Sequence, residues 1–281
     1  VTHQVAIIGA GETGGLLAHV LARHNVASDI VLVDDHGRAA QGKALDIAQA
    51  APVEGFVARV SGTADTAAAA GASVVALADP FGASVLAAEP ALLLLKRLRQ
   101  LAPHALIVCV DSSHRELIER GVRELHVDRA RLIGSAPEAL VAGVRALVAV
   151  ETRSVPRDVS LTAIGVPPQH IVVPWGDATI GGFGLTRMIS ESDRRRLEAR
   201  ITALWPPGPY ALAAAAAKAI DAILRRSEAL LACFVAPDDN SGRRLRTAAL
   251  PVRLGDTGVT EVVLPEMSVR ERVQLDNAML L

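Results

Sequence analysis

A strand-like run, a glycine-rich turn and the start of a helix follow one another in Val5-Ala-Ile-Ile-Gly-Ala-Gly-Glu-Thr-Gly14, and a second strand-like run, Ile30-Val-Leu-Val-Asp34, ends in an acid about twenty residues later. A chain with this order is constrained to a βαβ unit whose first turn can cradle a dinucleotide. Gly9 permits the tight turn, Gly11 has no Cβ to hold a pyrophosphate away from the backbone, and Gly14 lets the helix pack closely on the strand. The helix N-terminus offers unpaired N–H groups and the positive end of a dipole. Asp34 is placed to accept hydrogen bonds from an adenosine ribose, and its charge repels a 2'-phosphate, which favours NAD over NADP. The competing reading is a glycine-punctuated βα turn that binds nothing.

The rest of the first half alternates in the same way. Gln41-Gly-Lys-Ala-Leu-Asp-Ile-Ala has a helical pattern, and Val57 to Val60 reads as a short strand. Ser73 to Ala78 and Ala105 to Val110 are short continuous apolar runs, as expected of strands buried on both faces of a parallel sheet. Ala88 to Leu101 is helically spaced between them, and Arg131 to Gly134 forms a sixth strand. These elements predict an α/β fold with a Rossmann-type doubly wound parallel sheet over residues 1–134. Residues 135–281 change in character. Strand-like segments at Val159 to Ala163, His170 to Val173, Leu230 to Val235, Leu250 to Leu254 and Val259 to Leu264 mix with helices at Ser192 to Leu204 and Tyr210 to Arg226. Ser268-Val-Arg-Glu271 opens a last helix with a capping box. This half is expected to be an α+β domain packed on the first.

Composition excludes several classes of function. The formal charge of -1 argues against a nucleic-acid surface, whose affinity comes from neutralising phosphates. The arginine clusters at Arg194 to Arg196, Arg225 with Arg226, and Arg243 with Arg244 neighbour acids or lie near helix ends, and read as solvated faces. No apolar stretch reaches membrane-spanning length, because Asp79, Glu89, Lys96 and Arg97 interrupt the richest region. The first strand begins almost at the first residue, so no signal or transit peptide is expected. Cys109 and Cys233 lie far apart in apolar runs and read as buried free thiols of a reducing compartment, which points to the cytoplasm. No His/Cys/Asp cluster has metal-ligand spacing, and no metal is expected.

Taken together, Val5 to Gly15, Val31 to Asp35, Gln41 to Asp46, Ser61-Gly-Thr63, Tyr210 to Ala217 and Leu250-Pro-Val-Arg-Leu-Gly255 resemble the L-lactate/malate dehydrogenase family, more the malate than the lactate branch, almost end to end. The resemblance implies an oxidoreductase that takes NAD and acts on a 2-hydroxy or 2-oxo acid, built as a homodimer or tetramer. It assigns Gly9, Gly11, Glu12, Thr13, Gly14, Asp34, Ala78 and Ser112 to the cofactor site.

The same comparison exposes departures. Members of the family follow the fourth strand with a Thr-Ala-Gly turn and a mobile loop whose arginines clamp substrate carboxylates. Here the turn is Ala78-Asp79-Pro80, and the loop from Phe81 to Ala87 is short and has no arginine. An Asn-Pro step after the next strand is replaced by Ser112-Ser113. The family's catalytic His, the Asp that orients it and the Arg that grips substrate align with Pro168, Leu140 and Gly143. Proline cannot carry a proton, and neither leucine nor glycine can carry charge. A shifted dyad of Glu138 and His170, with Arg145 as the substrate cation, is the one rescue the spacing offers. The alternative is an ordinary strand histidine and an acid in a helix's first turn. Asp79 lies where the pyrophosphate is expected. Two unit charges about 4 Å apart repel by roughly 1 kcal/mol in water and about 4 kcal/mol at an effective dielectric of 20. Ordinary malate or lactate turnover is therefore expected to be absent or very weak, with a non-catalytic nucleotide-binding or structural subunit as the alternative.

Overall fold

Strands with apolar side chains on both faces form the middle of the sheet. The computed structural model describes residues 3–83, 87–237 and 246–280. Strands β1 (Gln4–Ile8), β2 (Asp29–Val33), β3 (Arg59–Thr63), β4 (Val74–Leu77), β5 (Leu106–Cys109) and β6 (Leu132–Gly134) are all parallel, in the order β3-β2-β1-β4-β5-β6. Every residue of β4 and β5 is buried, whereas β3 at the sheet edge has none buried. Helices α1 (Glu12–Arg23), α2 (Gly37–Glu54), α3 (Ala88–Leu101) and α4 (Arg115–Leu125) connect these strands. Helix α3 has the bounds its periodicity predicts. Helix α2 extends well beyond its recognisable segment and stops where Gly55 takes a left-handed φ of 77°. The winding reverses between β1 and β4, and ligands of such sheets bind at the carboxyl ends of the strands at that point.

The second half holds α5 (Ala136–Thr152), β7 (Val159–Ser160), β8 (Ile164–Val166), β9 (His170–Val172), β10 (Thr179–Ile180), β11 (Phe183–Gly184), α6 (Glu191–Ile201), α7 (Pro209–Arg225), β12 (Ala229–Val235), β13 (Ala248–Gly255), β14 (Gly258–Val262) and α8 (Val269–Leu280). Its strands are not a separate layer. Phe234 of β12 pairs antiparallel with Gly134 of β6, and the sheet runs on through β13, β8 and β9, with β14 added on β13, to eleven strands. Strands β7, β10 and β11 form a small second sheet.

With few aromatic residues, the core is built from Val, Leu, Ile and Ala. The largest cluster joins the parallel strands to α1 and to the alanine-rich face of α7, where Ala213, Ala216, Ala217 and Ile220 are buried. Small side chains there let α7 lie against α1. Trp205 meets Phe234 edge-on, with ring centroids 5.8 Å apart, beneath the junction of the two halves. The capping box at α8 is present: Ser268 N–H donates to Glu271 Oε2 at 2.7 Å, and Glu271 N–H to Ser268 Oγ at 3.3 Å. A second box, Ser190 with Asp193, opens α6. Arg194, Arg195 and Arg196 pair with Glu191, Glu198, Glu151 and Asp193 on the surface, while Arg243 and Arg244 lie outside the described residues. Cys109 and Cys233 are free and buried, and burial pushes both thiols far above their ordinary range. Among the described residues, no helix is long and apolar enough to cross a membrane.

Candidate functional site: a dinucleotide cradle holding a carboxylate of its own chain

The turn between β1 and α1 has the shape that its glycines predict. Gly9 takes φ +109°, a region costly for any other residue, and its N–H donates to Val33 O at 2.8 Å. A Cβ on Gly14 would lie 2.1 Å from Gly9 O, so only glycine lets α1 come this close to β1. Thr13 is buried at the first turn and Glu12 is exposed beside it. Lys43 of α2 reaches across Gly15 and donates to Gly11 O at 2.5 Å.

Asp34 stands at the end of β2, as expected of a ribose acid, but its oxygens already have donors. Oδ2 accepts from Ala10 N–H and Phe81 N–H, both at 2.8 Å, and Oδ1 accepts from His36 N–H at 2.8 Å. Burial by itself would raise the carboxyl's pKa. The backbone N–H groups of Ala10, Phe81 and His36, helped by the nearby His36 ring, outweigh burial and hold it below the usual carboxylate range. Only 1% of the side chain is exposed. An apolar cavity of about 170 Å³, lined by Ile8, Val33, Leu77, Pro80 and Leu94 among others, lies beside it.

The pyrophosphate end of the cradle also has an occupant. Asp79 follows β4, and its carboxylate reaches over the N-terminus of α1, where Oδ1 accepts from Gly14 N–H at 3.0 Å and Oδ2 from Thr13 N–H at 3.3 Å. Its main-chain oxygen accepts from Gly11 N–H at 2.8 Å. No side chain of Gly11 caps α1, so Asp79 serves as the anion at that helix end. A Cβ on Gly11 would fall 2.2 Å from Asp79 Oδ2. The space that a glycine here leaves open is filled by Asp79. The expectation of simple repulsion is thus replaced by direct occupation.

Ala78 is buried at the end of β4, and Ser112 begins a 3-10 turn after β5 that Asp111 caps by accepting from Ser113 N–H at 2.7 Å. The three sequence candidates for chemistry are only partly brought together. Glu138 in the first turn of α5 accepts from Lys218 Nζ at 2.7 Å and from Ala232 N–H at 3.0 Å, with Arg145 Nη1 at 3.9 Å. Glu138 and Arg145 share a cavity of about 140 Å³ with Ser160, Thr162 and Asp177. His170 does not join them. It is exposed on β9 and lines a separate cleft with Gln274 and Asn277 of α8. The strand register accounts for this, since His170 pairs with Val166 across the β8–β9 hairpin while Glu138 is engaged by α7 and β12.

Residues 3–81 match the lactate/malate dehydrogenase NAD binding domain. Over nearly its whole length the chain is 28% identical to malate dehydrogenase of Thermomicrobium roseum, covering 97% of this chain and 93% of that one. It superimposes on the malate dehydrogenase structure from Salinibacter ruber with a TM-score of 0.89 at 26% identity, covering 98% and 93% of the two chains. Its fold also matches that of a Cryptosporidium parvum lactate dehydrogenase complexed with lactic acid and NAD, with a TM-score of 0.90 at 22% identity and 99% and 95% coverage. The chain is thus similar to lactate/malate dehydrogenases over almost its whole length.

The matched N-terminal unit is an NAD-binding domain, and NAD is the cofactor for which its cradle is shaped. The residues present do not accommodate the pyrophosphate and ribose of NAD while Asp79 and Phe81 keep the bonds described above. At the positions aligned with the family's proton-relay and anion-gripping groups, the chain is packed as core or lines a different cleft. Leu140 is 1% exposed within the cluster that also holds Val144, Val148 and Trp175. Gly143 faces Leu204, whose Cδ1 would lie 3.2 Å from a Cβ added there. Pro168 borders a broad cleft together with Arg194, Glu198, Arg270 and Glu271.

Three features escaped sequence reasoning. Lys218 sits in an alanine-rich helix whose nearest acid, Asp221, pairs with Arg225 instead, so nothing local reveals the pairing of Lys218 with Glu138. His114, just past β5, is buried with neither ring nitrogen partnered. Burial disfavours its charged form and lowers its pKa, against a smaller opposing pull from Asp111. Nothing in its sequence neighbourhood signals that burial. The third is the seat of Asp79, for which the only available signal was an acid in a turn where the family has none.

Proposed function

We propose that this protein is a malate/lactate dehydrogenase relative in which ordinary turnover of malate or lactate is absent or several orders of magnitude reduced. The observation that carries this reading is the packing at Leu140, Gly143 and Pro168, where an apolar core and a proline stand in place of the groups that move a proton and grip a carboxylate. Glu138 and Arg145, the two charged candidates that the sequence offers on α5, are already engaged: Glu138 accepts from Lys218 and Ala232 N–H, and Arg145 Nη2 donates to Leu161 O at 3.3 Å. His170, the remaining candidate acid or base, faces a different cleft. By descent the substrate class is a 2-oxo or 2-hydroxy acid, and the protein works as a homo-oligomer in the cytoplasm. Purified protein assayed with oxaloacetate or pyruvate and NADH is expected to give no turnover above background. A rate near 10 per second, typical of an enzyme, overturns the proposal.

A second reading, a nucleotide-binding or structural subunit without catalysis, is favoured by one specific observation, the carboxylate of Asp79 on the N–H groups of α1. Under that reading the eleven-stranded sheet and its helices are retained as a scaffold, and activity of any partner enzyme depends on the presence of this chain but not on its cradle.

A further inference from the structure

The turn that follows β4 touches both halves of the cradle. At the pyrophosphate end, Asp79 supplies two carboxylate oxygens and a main-chain oxygen to three main-chain donors, Gly14, Thr13 and Gly11. At the ribose end, two residues later, Phe81 N–H donates to Asp34 Oδ2 at 2.8 Å, and the Phe81 ring leans on His36 with centroids 5.7 Å apart. An anion meets the donors that a phosphate would use, and a donor meets the acceptor that a hydroxyl would use. Pro80 between them has a fixed φ and no N–H of its own, so the turn spans the cradle with little freedom.

We propose that residues Asp79 to Phe81 are a built-in competitor for the cofactor: the Asp79 carboxylate takes the place of a phosphate on the N-terminus of α1 while the Phe81 N–H takes the place of a ribose hydroxyl on Asp34. The cofactor then binds only when this turn lifts away, and its apparent affinity is lowered by the fraction of molecules in which the turn stays down. The competition is intramolecular, so it acts at any protein concentration. Main-chain donors on a helix N-terminus favour a carboxylate and a phosphate for the same reason, and the covalently attached anion has the advantage of proximity. The turn acts on binding alone, whether or not turnover has been lost.

The test is calorimetric titration of the full chain and its variants with NADH. The chain as it stands is expected to be half-saturated only at millimolar NADH. Asp79→Ala, which empties the seat, is expected to bind about 10- to 1,000-fold more tightly, the range that follows if the turn is lifted in about 10% to 0.1% of molecules of the unaltered chain. Asp79→Asn keeps one acceptor oxygen and removes the charge, and is expected to fall between the two. It also serves if loss of the helix anion unfolds the alanine variant. Micromolar binding by the unaltered chain overturns the proposal, as does a folded variant, alanine or asparagine, that binds NADH no better than the unaltered chain. Oxaloacetate reduction measured on the same samples tests the catalytic reading separately. Tighter binding without turnover supports both proposals, and tighter binding with restored turnover refutes only the first.

Discussion

Replacing Lys218 with methionine isolates what the ion pair at the base of α5 does. Glu138 has 7% of its side chain exposed, and Lys218 has 50%. Removing one partner of a fully buried pair costs about 3–5 kcal/mol, because a charge is left without compensation in a poorly solvated site. A pair in water is worth about 0.2–1 kcal/mol. The Lys218–Glu138 pair is intermediate. Its acid is sequestered, its base is half in solvent, and after substitution Glu138 keeps the Ala232 N–H at 3.0 Å and the more distant Arg145 at 3.9 Å. Lys218→Met is therefore expected to cost about 1–2 kcal/mol, between those limits. For a chain of this size that lowers the melting temperature by roughly 2–8 °C.

The informative measurement is the double-mutant cycle with Glu138→Gln. Glutamine keeps an acceptor for Ala232 N–H and removes the charge that Lys218 answers. On that background, Lys218→Met should cost nearly nothing, which leaves a coupling of about 1 kcal/mol or more. Urea unfolding at fixed protein concentration reads this from the midpoints, provided the slopes agree among the four proteins. Equal cost of Lys218→Met in the two backgrounds refutes the reasoning. In that case Glu138 is held by Ala232 and Arg145 alone.

Two other substitutions probe the cradle. Asp34 has a folded pKa below its unfolded value, so the unfolded chain binds more protons in acid and stability rises with pH across that window. The stabilisation is complete above the unfolded value, about pH 4, and is lost as pH falls through the lower folded value. Urea midpoints of the unaltered chain and Asp34→Asn should differ most near neutral pH and converge toward pH 2; a constant difference refutes the assignment. Gly14→Ala pits helix propensity, which gains about 1 kcal/mol, against a Cβ placed 2.1 Å from Gly9 O. Main chain cannot move aside cheaply, so thermal unfolding should show a net loss of about 1–3 kcal/mol, and a rise in melting temperature refutes it.

What sequence made legible here depended on whether the governing physics was local. Continuous apolar runs marked β4 and β5, helical periodicity gave both ends of α3, and the Ser268–Glu271 box marked the start of α8, because each depends on neighbours within a few residues. The joining of the halves by Phe234 and Gly134 was not legible, since one antiparallel pairing leaves no periodic trace. The site divides along the same line. Gly9, Gly14 and Asp34 were readable because a turn, a close approach and a strand end demand their residue types. Glu138 was readable only as a charged candidate in a helix's first turn, and its bond to Lys218, eighty residues away in sequence, was not.

Asp79 carries that argument furthest. As a sequence feature it was an anion in the wrong place, to be counted as a repulsion of a few kcal/mol against an incoming phosphate. In the fold it is the ligand of three main-chain donors that a phosphate would have taken. The two descriptions make different demands on the rest of the chain. Repulsion alone would leave the donors of α1 unsatisfied and the turn free to swing outward. Occupation satisfies them, caps a helix that has no side-chain cap of its own, and fastens the turn again through Phe81 to Asp34. The glycines and the acid that make a cradle are therefore compatible with two ligands, one diffusible and one covalently attached, and their presence in a sequence does not say which of the two they hold.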